Sequence, residues 1–130
     1  LENTNWEPDR AEVHYFAHNL EETMFYFDRL DSKNLGWSFT INHATLVPEG
    51  IAGFLDGGPI ERLGEVRMAD NNGLYELHMQ PGDGVIDWTD MFDRVEATGY
   101  TGHYTNAFGT LDDMLKGRDF QVNKFLGNRD

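Results

Sequence analysis

Glu76 and His78 stand two residues apart in the run "RMADNNGLYELHMQPGDGVIDW", residues 67 to 88. On extended backbone, residues i and i+2 face the same side, so a carboxylate and an imidazole here can converge on one point. That pair can share a divalent cation, or a neutral imidazole can serve as a general base near neutral pH. The glycine-rich bend Pro81-Gly82-Asp83-Gly84 follows at once, a turn able to bring the pair to the end of an element. His14 and His18 have the i, i+4 spacing of one helical face but precede a capping pattern, which favours a loop, and His103 falls between Gly102 and Tyr104 in a strand candidate. Asp83 and Asp87 flank Gly84, where turn and helix-cap chemistry accounts for both.

Composition narrows what such groups can serve. The chain has no cysteine, so any metal must be held by His, Asp or Glu, and the absence of disulfides fits a reducing cytoplasm. Its 23 acidic residues against 10 basic ones give a formal charge of -13, which opposes a nucleic-acid backbone and favours solubility or a salt-adapted source. No apolar run approaches the roughly 20 residues of a membrane span, and no signal peptide opens the chain, so a soluble protein is expected. A length of 130 residues with 39% hydrophobic content suits one globular unit over 1–130. The first residue is Leu1, not Met, which points to a processed or partial chain.

The elements that must position these groups alternate along the sequence. Asn19 followed three residues later by Glu22 is a capping-box pattern, and Leu20, Met24, Phe25, Phe27 and Leu30 predict a helix over about 20–32. Trp37 to Ile41 reads as a strand, Pro48-Glu49-Gly50 as a first helical turn with Ile51, Phe54 and Leu55 behind it, and Gly64 to Ala69 as the next strand, closed by a turn at 70–73. Trp88, Met91, Phe92 and Val95 at i, i+3, i+4, i+7 predict a helix that Gly99 ends. Tyr100 to Phe108 supplies a strand, and Thr110 caps a last helix through Leu111 and Leu115. Alternation with short links predicts parallel βα units.

A strand, then Asp70-Asn71, Glu76-x-His78, Pro81-Gly82-x-Gly84 and Ile86-Asp87-Trp88 leading into an amphipathic helix resembles the xylose-isomerase-like TIM barrels. Leu1-Glu2-Asn3, Thr40-Ile41-Asn42-His43 and Tyr104-Thr105-Asn106 extend the match. The family includes sugar isomerases and epimerases, inosose dehydratases and zinc-dependent apurinic endonucleases. The resemblance implies an α/β fold, the C-terminal half of a (β/α)8 barrel, with strands five to eight and the first strand cut almost to its end. Four parallel strands leave open edges, so a missing N-terminal half or a second chain is expected to complete the barrel.

In the isomerase branch a metal is held at strand ends by a glutamate, an aspartate, a histidine and a second glutamate. The resemblance maps these onto Glu2, Thr40, Arg67 and Asn106, which leaves one carboxylate, too little for a divalent ion. A guanidinium cannot ligate a cation but can replace its charge, so Arg67 beside Glu2 could orient an oxyanion, or the two could simply pair and fill the site. In the endonuclease branch a His and an acid-x-His pair bind an additional zinc; His43, Glu76 and His78 match them, giving a candidate site for zinc or manganese. The alternative for this trio is hydrogen bonding within loops. Trp6 and Phe108 are the aromatic candidates for a sugar-stacking wall, with Thr40 and Asn106 as polar substrate-binding candidates, while Trp88 is better explained as core.

Two functions of different kind follow. The first is a sugar or polyol isomerase, epimerase or dehydratase-like enzyme that abstracts a proton next to a carbonyl, with Glu2 as base and Arg67 stabilising the oxyanion. The second is a non-catalytic sugar-binding or partner subunit with a degenerate metal site. A repair nuclease, a third reading, has the trio in its favour and the charge of -13 against it.

Overall fold

The computed structural model describes residues 1–106 and 108–127. The chain runs α1 (Leu20–Leu30), β1 (Trp37–Thr40), a helical turn α2 (Ile41–Ala44), α3 (Gly50–Gly57), a 3-10 turn (Ile60–Arg62), β2 (Leu63–Arg67), α4 (Trp88–Ala97), β3 (His103–Thr105) and α5 (Leu111–Gly127). The three strands form one parallel sheet in sequence order. A fourth strand is represented by a single parallel bridge from Glu2 to Ser38 at the β1 edge. Parallel strands linked through helices are the expected βα alternation.

Alternation along the strands separates two chemistries. Trp37, Phe39 and Val66 point to the helical layer and are essentially fully buried. There the Trp37 and Phe39 rings meet at 4.8 Å, and both pack against Phe54 of α3. Trp88, Met91, Phe92 and Val95 of α4 complete the core, as their helical spacing requires. The opposite face is polar: the register aligns Ser38, Glu65 and His103 in one row and Thr40, Arg67 and Thr105 in the next. Within it the Ser38 hydroxyl donates to Glu65 at 2.8 Å. That bond, first among its influences, holds the Glu65 carboxyl below its ordinary value, with Thr105, Arg67 and His103 adding to it against partial burial.

Several boundaries differ from the sequence expectation for identifiable reasons. Ile41 leaves β1 because Asn3 clamps Thr40 at both backbone groups, Thr40 N to Asn3 Oδ1 at 2.8 Å and Asn3 Nδ2 to Thr40 O at 2.9 Å, and the chain then turns into α2. α3 starts at Gly50, not Pro48. The last strand is three residues long, not nine, and Tyr100 instead folds back to bond the His103 carbonyl at 2.7 Å. α1 ends at Asp31 in a left-handed conformation, with Phe25 and Leu30 more than half exposed, so its apolar stripe is only partly covered among the described residues.

Candidate functional site

Strand ends and the loops after them converge on one polar cavity of about 370 Å³. Glu2, Thr4, Asn5, Glu7 and Tyr15 line it from the N-terminal segment. Arg67 lines it from the end of β2, and His43, Glu76, His78 and Phe108 from the segments that follow β1, β2 and β3. Chemistry in βα sheets concentrates at these carboxyl ends, where loops can vary without disturbing the core.

Two linked clusters fill the cavity wall. In the first, Glu2 Oε2 accepts from Arg67 at 2.8 Å and Glu2 Oε1 accepts from the Thr40 hydroxyl at 2.6 Å. Thr40 is wholly buried, so it reaches the cavity only through Glu2. In the second, His43 Nε2 lies 3.1 Å and His78 Nε2 2.7 Å from the same oxygen, Glu76 Oε1. A 3.6 Å approach of His43 Nδ1 to Glu2 Oε1 joins the clusters.

The second cluster fits a divalent cation. His43 Nδ1 lies 2.8 Å from the Asn3 carbonyl, and a carbonyl only accepts, so Nδ1 carries a proton and, in the neutral ring, Nε2 turns its lone pair to Glu76. A histidine fixed in this tautomer by a backbone oxygen is prepared as a metal ligand. Lone pairs of Nε2 and a carboxylate oxygen at 3.1 Å repel unless a proton or cation lies between them. The donor atoms of His43, Glu76 and His78 lie within 4.8 Å of one another. Bond lengths of roughly 2.0–2.1 Å in a tetrahedral zinc site separate donors by about 3.3 Å, so small adjustments suffice. Three lining carboxylates, Glu2, Glu7 and Glu76, against one guanidinium also favour a cation. Asn42, buried beneath, donates to both Glu76 oxygens at 3.3 Å and to the Leu77 carbonyl, which fixes the loop that carries the acid-x-His pair.

Seven of the nine residues singled out from sequence therefore meet: Glu2, Thr40, His43, Arg67, Glu76, His78 and Phe108. Trp6 does not line the cavity; it packs against the hydrophobic core. Asn106 is directed to α5, its amide 3.3 Å from the Met114 carbonyl. Trp88 is core, and its indole donates to buried Asp70 at 2.9 Å. Asp87 caps α4 through Thr89 N and Asp90 N. His18 contacts Tyr15 and Glu22 in the loop before α1, and His103 is exposed on β3. Sequence reasoning passed over Asn3, Asn42 and Tyr15. Asn3 and Asn42 sit beside Glu2 and His43, which was the available signal, but their bonds span more than 30 residues.

Among the described residues no helix is long and apolar enough to cross a membrane. A family model described as xylose isomerase-like TIM barrel matches residues 1–115. The uncharacterized protein MJ1311 of Methanocaldococcus jannaschii is 29% identical over 94 residues, 69% of this chain and 31% of that protein. The crystal structure of a D-tagatose 3-epimerase-like protein matches at a TM-score of 0.78 and 24% identity, over 97% of this chain and 45% of that one. An L-ribulose 3-epimerase matches at 0.70 and 16% identity, over 99% and 47%. The 3-keto-D-glucoside 4-epimerase YcjR from E. coli matches at 0.67 and 22% identity, over 95% and 43%. This chain thus spans less than half the length of each of these relatives, and the structural likeness concerns the fold. Matched over most of its length, the chain belongs to the xylose isomerase-like TIM barrel family and presents part of its (β/α)8 barrel.

Proposed function

We propose that this chain carries the reactive face of a sugar or polyol isomerase/epimerase-like barrel, one that abstracts a proton next to a carbonyl with a metal site altered from that of the isomerase branch. The observation that carries the reading is the Glu2–Arg67 pair at 2.8 Å beside the His43, Glu76, His78 triangle in one polar cavity. Each Glu2 oxygen accepts one hydrogen bond and keeps a further lone pair, so the carboxylate is oriented and has a position left to receive a proton. Arg67 gives one nitrogen to Glu2, and its other N–H groups can face an oxyanion that develops as the proton leaves. His43, Glu76 and His78 would hold zinc or manganese, and a cation bound there supplies Lewis-acid polarisation of a ligand oxygen. The fold relatives named above for D-tagatose, L-ribulose and a 3-keto-D-glucoside support a polyhydroxy carbonyl substrate. The remaining strands would come from another half of the barrel or another chain.

The mutual satisfaction of Glu2, Thr40 and Arg67 also favours a second reading, a sugar-binding subunit without catalysis. Solvent exchange separates the two. The chain is incubated with a panel of ketoses in deuterated water, with and without zinc or manganese, and deuterium next to the carbonyl is followed by proton NMR. Incorporation that disappears in Glu2→Gln supports the enzyme. Ketose binding with no incorporation transfers the site to the second reading, and neither binding nor incorporation overturns both.

A further inference from the structure

We propose that Phe108 is the positioning residue for His78, holding this imidazole by ring stacking where its counterpart His43 is held by a hydrogen bond. The inference rests on the reading of His43, Glu76 and His78 as a cation site. The two histidines are supported unequally. His43 is buried, and its Nδ1 is tied to the Asn3 carbonyl. His78 has a side chain 44% exposed, and among the described residues only Nε2 has a polar partner, Glu76. A ligand histidine usually presents its second nitrogen to a carbonyl or carboxylate that sets the plane of the ring. For His78 that task falls to Phe108, whose ring lies nearly parallel to the imidazole, 3.8 Å between centroids at an interplanar angle of 18°.

Phe108 is itself well placed to do this. It follows β3 and precedes a reciprocally capped helix start, Thr110 N to Asp113 Oδ2 at 2.9 Å and Asp113 N to Thr110 Oγ1 at 3.3 Å. The Arg67 guanidinium carbon lies 5.7 Å from the same ring centroid. An aromatic face attracts electron-poor groups, and coordination withdraws electrons from an imidazole, so the stack strengthens as His78 takes a cation. Phe108 therefore favours the loaded arrangement without touching the ion, and connects His78 to the Arg67 side of the cavity.

The test compares the full wild-type chain with Phe108→Leu and Phe108→Tyr, using zinc alone in competition with a chromogenic chelator. Loss of a group that orients a ligand costs about tenfold or more in metal affinity, so Phe108→Leu should weaken zinc by that factor while Phe108→Tyr stays within about threefold. Proton NMR of the His78 ring gives a readout apart from binding: the phenyl ring current shifts its signals upfield in the wild type and Phe108→Tyr, and releases them in Phe108→Leu. Zinc affinity unchanged in Phe108→Leu, or His78 signals that do not move, overturns the positioning role. Upfield His78 signals in a wild-type chain that takes up no zinc overturn the cation site and, with it, the role of Phe108 as a ligand support.

Discussion

Replacing Arg67 by Met tests whether Glu2 is held by charge or only by shape. The guanidinium lies 2.8 Å from Glu2 Oε2, and the two side chains are 28% and 30% exposed, a condition between surface and interior. Exposed ion pairs contribute about 0.2–1 kcal/mol, whereas removing one partner of a buried pair costs about 3–5 kcal/mol. Partial exposure and screening place the coupling between Glu2 and Arg67 at about 1–2 kcal/mol. The assay is a double-mutant cycle with Glu2→Gln, Arg67→Met and the double variant, each unfolded in urea at low and high salt. Arg67→Met alone leaves Glu2 with the Thr40 hydroxyl at 2.6 Å and His43 Nδ1 at 3.6 Å, so the carboxylate stays in place and the loss is moderate. A coupling below about 0.3 kcal/mol, the scatter of independent sites, would mean that the two charges do not act on one another and would remove the physical basis for Arg67 orienting Glu2.

Three further outcomes follow from the geometry. Trp88→Phe removes the indole N–H that Asp70 Oδ2 accepts at 2.9 Å and leaves a small cavity in the core, so urea unfolding should show a loss of at least about 1–3 kcal/mol. The Glu65 carboxyl is held below its ordinary value chiefly by the Ser38 hydroxyl, so its stabilising contribution is present above that value and is lost as pH falls through the lowered one. Unfolding measured from neutral pH into acid should therefore lose less stability in Ser38→Ala than in the wild type. Burial pushes the Tyr104 phenol up to about 12; an ultraviolet titration should show a late-ionising step that Tyr104→Phe removes, with stability falling as pH rises from the unfolded value of about 10 toward that point.

The helical layer was legible because burial imposes a period. Trp88, Met91, Phe92 and Val95 had to share one face, and they do. The cavity was legible in part because the same backbone rule that pairs i with i+2 brings Glu76 and His78 together, and because resemblance supplied His43, Glu2 and Arg67. What escaped depends on distance along the chain. Nothing local marks Asn3 as the clamp on Thr40 and the anchor of His43, since both contacts form only when residues 37 and 40 positions apart meet. Trp6 was assigned to a substrate wall from its type and neighbourhood, but its contacts are with the core. Strand ends were overextended at Ile41 and Tyr100 because apolar and aromatic residues suit strands wherever they occur, while side-chain clamps and folded-back hydroxyls decide where pairing stops.

The polar rows across the sheet, Ser38–Glu65–His103 and Thr40–Arg67–Thr105, bear on how the barrel closes. A face of hydroxyls, a carboxylate, an imidazole and a guanidinium exposes little apolar surface, so it offers little driving force for indiscriminate sticking between open sheets. A further half of the barrel meeting this face would have to offer matched donors and acceptors, which would make closure selective for a complementary surface and responsive to ionic strength.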